Sequence, residues 1–405
     1  MKLQKTLFSQ STKMNWSMLM GAVFLMATSS IGPGFLTQTS VFTETLLASF
    51  GFVILVSIVL DIFVQTNVWR IIVAAEKRGQ DIANMVFPGL GYIFSFFIVI
   101  GGLAFNIGNI GGAGLGINVL FGISVKTGAI ISAGIAIFIF VVKEAGKVMD
   151  LFIQLAGVVM IGLTIFIAFK TSPPVGEAVI KTIVPDQIDI LAIITLVGGT
   201  VGGYITFAGG HRLLDAGVKG VNAVPQATKS SILGILITSI MRIALFLAVL
   251  GVVSKGYHLD SDNPAASAFQ LAAGNIGYKI FGIVMWTAAV SSVIGSAYTS
   301  VSFIRSFSRR IEEHHKWIII MFIAVSTLSF ITIGEPVKVL ILVGALNSLI
   351  LPFALGTLLI AAHKKNIVGM YKHPISLTIC GVFVVIITII MGGYTIINEA
   401  AKIFS

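Results

Sequence analysis

The sequence has very little charge. Only 10% of its 405 residues are Asp, Glu, Lys or Arg, whereas soluble globular proteins have about 25%. Hydrophobic residues make up 56% of the chain, and the mean hydropathy is +1.02. This composition excludes a soluble protein and is typical of one that crosses a membrane many times. No soluble domain is expected.

Cysteine and clustered polar groups are also scarce. Cys380 is the only cysteine, which excludes a disulfide framework and a metal site built from thiolates. The apolar segments contain no cluster of nucleophile, base and metal ligand of the kind that catalysis requires. We therefore expect no enzyme, no bound cofactor and no intramembrane catalytic centre.

What is present is a series of long apolar segments. Hydropathy predicts eleven spans, each near the 20 residues that a bilayer core requires. The basic N-terminal residues and the apolar run behind them are interpreted as a retained first span, because no Ala-x-Ala-like cleavage site follows a short apolar core. The predicted spans are 17–47, 51–74, 91–121, 126–142, 148–170, 190–212, 229–253, 276–305, 316–333, 336–362 and 375–397.

The net charge of +10 follows from this topology. A cytoplasmic N-terminus places 18 of the 26 Lys and Arg residues inside and 7 outside, and leaves Arg242 within the seventh span. That asymmetry agrees with the positive-inside rule and predicts an external C-terminus. The basic charge therefore does not indicate nucleic acid, and the expected partners are the lipid bilayer and a small solute or ion. A monomer is compatible with the sequence, which does not specify the oligomeric state.

Two of the spans contain helix-breaking sequences. The first includes "SSIGPGFLTQT" (29–39), and the sixth is "LVGGTVGGYITFAGG" (196–210), with six glycines in fifteen residues. Irregular backbone at membrane depth must be buried in protein or line a cavity. Interrupted spans at positions one and six predict inverted repeats at about 17–170 and 190–362, an extra helix at 375–397, and a single transport domain over 1–405. Close packing of helices through glycine is the simpler alternative.

Several segments resemble the NRAMP metal transporters. The tenth span, "NSLILPFALGTLLIAAHKKNIVGM" (347–370), is similar to the tenth helix of that family. "AEKRGQDIA" (75–83), "INVLFGI" (117–123) and "AAVSSVIGS" (288–296) resemble the second loop and the third and eighth helices. The resemblance covers nearly the whole chain. It implies an all-α membrane protein with a LeuT-like 5+5 fold, broken helices 1 and 6 and about eleven transmembrane helices.

The ligands that this family uses for metal are missing. The resemblance aligns the family's Asp-Pro-Gly-Asn motif with Gly32, Pro33, Gly34 and Phe35, and its Met-Pro-His motif with Gly202, Gly203 and Tyr204. The acidic pair of the third helix is replaced by Asn106 and Asn109, and Arg242 replaces a neutral amide. A dehydrated divalent cation needs anionic oxygen or soft donors, so these replacements disfavour a bare metal ion.

The replacements suit a small organic solute instead. The free N–H groups at the start of the second half-helix favour an anion, and Arg242 could pair with a carboxylate. Arg242 could equally have a structural partner, Asp61 or Glu144, while the two asparagines could be interhelical hydrogen-bonding groups. The predicted substrate-binding residues are Gly32, Pro33, Gly34, Phe35, Gln38, Asn106, Asn109, Gly202, Gly203, Tyr204 and Arg242.

The expected coupling ion is Na⁺ or H⁺. A hydroxyl pair in LeuT-like sodium symporters lies where this chain has Ser291 and Ser292, so the resemblance is compatible with a sodium site. NRAMP proteins also have serines at this point without being known for sodium coupling, which leaves proton coupling open. Asp61, an acid well inside the second span, is the candidate proton carrier.

The sequence thus predicts a symporter of the cytoplasmic membrane for a small organic solute, a carboxylate. Relatives of this family without the metal motif are often encoded beside 5-oxoprolinase subunits, which makes 5-oxoproline the specific hypothesis. The alternative is a proton-coupled transporter of Mg²⁺ or Mn²⁺ with a remodelled site.

Overall fold

The computed structural model describes residues 16–141 and 145–404, and within that part every regular element is helical. The first half contains α1 to α8, and glycine or proline stands in several of the short connections between them. Their bounds are α1 (Trp16–Ser30), α2 (Pro33–Leu46), α3 (Phe50–Ala75), α4 (Gly79–Val86), α5 (Leu90–Phe121), α6 (Val125–Val141), α7 (Ala145–Thr171) and α8 (Val175–Ile183).

The second half contains the eight remaining helices. The predicted eighth span corresponds to the second part of α12, because Gly274, with a φ of +68°, divides this helix at a kink, and the first part begins at Pro264. The helices are α9 (Ile190–Thr200), α10 (Ile205–Asp215), α11 (Val224–Val253), α12 (Pro264–Ser302), α13 (Arg309–Ile333), α14 (Pro336–Ala362), α15 (Lys365–Val368) and α16 (Ile375–Phe404).

The apolar helices are long enough to cross a membrane. By length and composition, the described residues contain eight stretches that could each cross it, or up to nine if the pair bent by 109° between Thr171 and Val175 is one span. Shorter apolar helices occupy Met20–Ser30 and Val125–Val141. The protein is therefore a polytopic all-α membrane protein, and the count of eleven crossings stays a prediction.

Both predicted helix breaks are confirmed. The first break, residues 31–32, separates α1 from α2, and the second break, residues 201–204, separates α9 from α10. Pro33 begins α2, where its missing N–H costs no intrahelical hydrogen bond. Gly203 in the second break has a φ of +59°, a conformation that a side chain disfavours. The breaks therefore follow directly from local backbone chemistry.

A buried hydrogen-bonded chain attaches the segment before α16 to α3. Arg70 Nε donates to the Tyr371 hydroxyl (2.9 Å), which lies 3.1 Å from His373 Nδ1, and His373 Nε2 lies 2.7 Å from Asn67 Oδ1. The Asn67 amide nitrogen donates to carbonyls, so its oxygen accepts a proton from His373 Nε2. His373 Nδ1 is then the acceptor for the Tyr371 hydroxyl, and this arrangement requires a neutral imidazole.

Stability should fall at acidic pH because of His373. Burial, followed by Arg70 and His363, lowers the pKa of His373 from 6.5 to about 4. The unfolded chain therefore takes up this proton first, so the contribution of His373 to stability is constant above pH 6.5 and declines as the pH falls from 6.5 towards 4. We expect His373→Gln to flatten this part of a melting-temperature profile. The exposed His314, changed to Gln, is the control, and equal slopes in both variants would contradict the assignment.

Candidate functional site

The start of α2 provides free hydrogen-bond donors at the first break. Gly32 caps the helix in an extended conformation, and Leu36 N donates to Gly32 O (3.2 Å). Pro33 has no N–H, and the amides of Gly34 and Phe35 in the first turn have no intrahelical acceptor. These amides and the positive end of the helix dipole favour an anionic group.

The second break lies directly against the first. The Ser30 hydroxyl, at the end of α1, donates to the carbonyl oxygen of Thr200 at the end of α9 (2.8 Å). Val201 N and Gly202 N both donate to Val197 O, which closes α9 at this point. The predicted convergence of the two interrupted spans is therefore present in the structure.

The third wall of the site is α5. A Cβ built on Gly32 would lie 3.6 Å from Asn109 Oδ1, and neither polar atom of the Asn109 side chain has a hydrogen-bond partner. Ser29 and Asn109 face the Tyr204 hydroxyl, and the Tyr204 ring packs edge-on against Phe105, with centroids 5.3 Å apart. Asn109 and Tyr204 thus lie at the breaks, as the sequence predicts.

Gln38 also belongs to this region, one turn beyond Gly34. A Cβ built on Gly34 would lie 3.7 Å from Gln38 Nε2, and that nitrogen donates to Leu340 O (2.8 Å). Pro33 packs against α5, where a Cβ on Gly112 would lie 2.2 Å from its Cβ. Phe35 is buried at the start of α2.

Both polar atoms of the Asn106 side chain are hydrogen-bonded to other helices. Its Nδ2 donates to the Ser326 hydroxyl (3.1 Å), and its Oδ1 accepts from the Ser296 hydroxyl (2.9 Å). These bonds join α5 to α13 and α12, which is the interhelical role that the sequence left open. The assignment of Asn106 to the substrate site is therefore corrected.

Arg242 is paired with an acid. Its Nη2 lies 3.1 Å from Asp61 Oδ2, and its Nη1 lies 3.4 Å from the Ser57 hydroxyl. Both charged side chains are buried, with 1% and 0% of their surface exposed. An isolated guanidinium among apolar helices is very costly, so a carboxylate partner explains its position.

This pair corrects the prediction that Arg242 binds substrate. Of its two candidate structural partners, Asp61 is the one observed, and Glu144 lies outside the described residues. The ion pair also occupies one oxygen of Asp61, the candidate proton carrier, while Asp61 Oδ1 has no partner.

The two serines of α12 face different surroundings. The Ser292 hydroxyl donates to Thr28 O (3.1 Å) and would lie 3.0 Å from a Cβ on Gly32, so it lies at the first break. The Ser291 hydroxyl donates to Ala288 O in its own helix and lines an apolar cavity beside Thr28. A coupling-ion site at these serines stays a prediction.

The sequence analysis missed Asn347 of α14. Its Oδ1 would lie 1.9 Å from a Cβ on Gly203, so it touches the second break. Gly198 and Gly202 also approach the α14 backbone, at Gly344 O and Asn347 O. A lone amide in an otherwise apolar span is the signal that could have identified Asn347.

The site offers no set of metal ligands. Within the described residues, no group of three or more His, Cys, Asp or Glu side chains could hold a metal ion. The side chains at the breaks are amides, hydroxyls and a phenol, with backbone groups between them. Such a site can hydrogen-bond a neutral or anionic solute but lacks the charge that a dehydrated divalent cation needs.

The chain matches one protein-family model over residues 23–398, that of the natural resistance-associated macrophage protein-like (Nramp) proteins. The chain belongs to the Nramp family. It is 69% identical over 391 residues to the membrane protein YcsG of Bacillus subtilis, covering 96% of this chain and 97% of that one.

Solved structures confirm the LeuT-like fold. A mutant of the Eremococcus coleocola manganese transporter matches with a TM-score of 0.79 at 14% identity, covering 96% of this Nramp chain and 88% of the other. MhsT in complex with L-phenylalanine matches with a TM-score of 0.60 at 16% identity, covering 92% and 98%. The protein is thus an Nramp-family transporter in fold, and these distant matches show the fold alone.

Proposed function

We propose that this Nramp-family protein is a symporter that imports a small organic solute by alternating access. The proposed solute is a carboxylate such as 5-oxoproline. The observation that carries the proposal is the uncharged site: the helix breaks are present, while amides, hydroxyls and a phenol surround them. We place the protein in the cytoplasmic membrane with its N-terminus inside and its C-terminus outside.

The proposed binding mode no longer uses Arg242. The carboxylate of the solute would accept hydrogen bonds from the first-turn amides of α2, where the helix dipole adds a favourable field. Asn109 and Tyr204 would contact the polar remainder of the solute. Gly202 and Gly203 pack against Asn347 of α14, so they would shape the site through this contact rather than leave open space for the solute.

A divalent metal ion, Mg²⁺ or Mn²⁺, is the alternative substrate. The structural relative from Eremococcus coleocola is named a manganese transporter. In addition, a cavity of about 830 Å³ on the side predicted to face outward is lined by the acids Glu44, Asp260, Asp262 and Glu335 and by Lys338, which is paired with Glu335. The lining is negative on balance and attracts cations, which could be either the metal or a coupling Na⁺ or H⁺.

Uptake and calorimetry separate the two proposals. We expect proteoliposomes with the purified protein to accumulate labelled 5-oxoproline under a sodium or a proton gradient, and Asn109→Leu to reduce this uptake at least tenfold. Calorimetry with Mn²⁺, Mg²⁺ and Cd²⁺ should detect no saturable binding. Saturable Mn²⁺ binding that Asn109→Leu removes, together with no 5-oxoproline uptake, would favour the metal.

Alternating access requires a closure on the opposite, predicted cytoplasmic, side. Arg78 Nη2 lies 2.5 Å from Asp215 Oδ1, and the Tyr298 hydroxyl donates to the other oxygen of Asp215. His211 Nε2 accepts from Gly79 N (3.1 Å), and its Nδ1 lies 3.0 Å from the Ser302 hydroxyl. These contacts connect α4, α10 and α12 in the present conformation.

Removing the charge of Asp215 should open this side. In a Cys380→Ser background, we expect Asp215→Asn to increase severalfold the rate at which an impermeant maleimide labels Thr206→Cys in inside-out vesicles. The physical reason is that Arg78 loses its anionic partner, and only one of the two acceptor oxygens that Arg78 and Tyr298 use on Asp215 remains. The control is Glu312→Gln, which removes the pair with Arg305 on the same side. Equal labelling rates in both variants would contradict the gate.

A further inference from the structure

Two buried amide side chains next to the second break have unpaired carbonyl oxygens. Gln38 uses its Nε2 to donate to Leu340 O (2.8 Å), and Asn347 uses its Nδ2 to donate to Gly101 O (3.2 Å) and Val343 O (3.0 Å). Both residues are completely buried, and neither Gln38 Oε1 nor Asn347 Oδ1 accepts a hydrogen bond. The nitrogen contacts fix the orientation of each amide, because a flip would place oxygen against carbonyl oxygen.

Both oxygens lie against glycines of the sixth span. A Cβ built on Gly199, near the end of α9, would lie 2.3 Å from Gln38 Oε1, and one built on Gly203, in the second break, would lie 1.9 Å from Asn347 Oδ1. Asn347 Oδ1 also lies against α5, where a Cβ on Gly101 would be 2.5 Å away. The last carbonyls of α9 carry the negative end of its helix dipole at the same place. This side of the site therefore consists of hydrogen-bond acceptors, and a buried acceptor without a donor is unfavourable.

The opposite side of the site consists of donors. The first-turn amides of Gly34 and Phe35 are free there, and Ser30 and Thr200 join the two breaks between these two sides. The site is thus polarised over a short distance, with N–H groups at α2 and unpaired oxygens at the end of α9. A solute that satisfies both sides has an acceptor at one end and an N–H donor at the other.

We propose that Gln38 and Asn347 recognise an N–H group of the transported solute, so that the substrate class is a small acid with an N–H group beside its carboxylate. This inference rests on the proposed function and deepens it. A ring ammonium has two N–H groups and can donate to both oxygens, and a lactam amide can donate its single N–H to one of them or share it between the two. A ring oxygen in the same position instead places a third acceptor against them. Recognition of this kind is strongly selective because the wrong solute leaves buried polar groups unpaired.

The inference is tested with matched pairs of ligands. Calorimetry measures the affinity of each ligand for the purified full-length protein. One pair is 5-oxoproline and the lactone of the same shape, 5-oxotetrahydrofuran-2-carboxylate. The other is proline and tetrahydrofuran-2-carboxylate. We expect the N–H member of a pair to bind at least about tenfold more tightly than the ring-oxygen member. Gln38→Met and Asn347→Leu, which keep size and remove the carbonyl oxygen, should each bring this ratio towards one.

The ratio of the two affinities within a pair separates recognition of the N–H group from a general effect on folding. Asn106→Leu is the control, because Asn106 is buried and bonded to Ser296 and Ser326, and its loss should leave the ratio unchanged. Equal binding of both members of the 5-oxoproline pair would overturn the inference and leave the proposed function standing. A tenfold preference that persists in both Gln38→Met and Asn347→Leu would also overturn it. Binding of none of the four compounds would overturn the inference and the proposed carboxylate function together.

Discussion

Changing Arg242 to Gln is expected to reduce the free energy of unfolding by about 3–5 kcal/mol, because Asp61 would be left as an unpaired buried charge. The two side chains are 1% and 0% exposed, and their contact is 3.1 Å. The melting temperature of the detergent-solubilised protein measures the effect. Asp61→Asn should be similarly destabilising, since it leaves the guanidinium unpaired.

The double variant Asp61→Asn/Arg242→Gln should recover most of the lost stability, since no buried charge remains. The control is Arg309→Gln, where the ion pair with Glu313 lies at an exposed position and should contribute almost nothing. If Arg242→Gln melts like the wild-type protein, the pair does not stabilise the fold. If the double variant is stable but has no uptake, the pair has a direct role in transport.

Gly198→Ala should prevent the close packing of α9 against α14. The new Cβ would lie 1.7 Å from Gly344 O and 2.6 Å from Ser348 N, and both are backbone atoms that cannot move aside. Relief requires the two helices to separate at the second break, at an expected cost of about 3 kcal/mol or more. Melting temperature and solute uptake should therefore both fall sharply.

The control for Gly198→Ala is Gly134→Ala in α6. A Cβ there meets no atom within 4 Å, and alanine favours a helix over glycine by about 1 kcal/mol. This variant should be as stable as the wild-type protein or slightly more so. A wild-type melting temperature for Gly198→Ala would show that α9 and α14 are further apart than these distances imply.

Local features were predictable from the sequence. Gly32, Pro33 and Gly34 interrupt a helix for reasons contained within three residues, and the break between α1 and α2 lies where they predict it. The glycines of the sixth span predicted the break after Thr200 in the same way. Asn109 and Tyr204 were selected from the resemblance, and both lie close to those breaks.

Long-range partners were only partly predictable. Asp61 was one of two candidate structural partners of Arg242, 181 residues away, but nothing in either span selects Asp61 over Glu144 or over a substrate. Asn106 looked equivalent to Asn109, but only the packing of α12 and α13 provides Ser296 and Ser326 to satisfy it. Asn347 was overlooked because its role depends on the contact between α14 and the second break, which a pattern within one span does not contain.

The hydrogen bond from Ser30 to Thr200 bears on how a carrier of this kind can come to bind a different substrate. It joins the ends of α1 and α9, and Ser292 holds the carbonyl of Thr28 only two residues away. Neither bond uses a side chain at position 32 or 35, although a Cβ on Gly32 would lie 3.0 Å from the Ser292 hydroxyl. The Ser30–Thr200 bond between the two broken helices is therefore separate from the residues that contact the ligand. A metal ligand can be exchanged for glycine or phenylalanine there while the hinge stays the same.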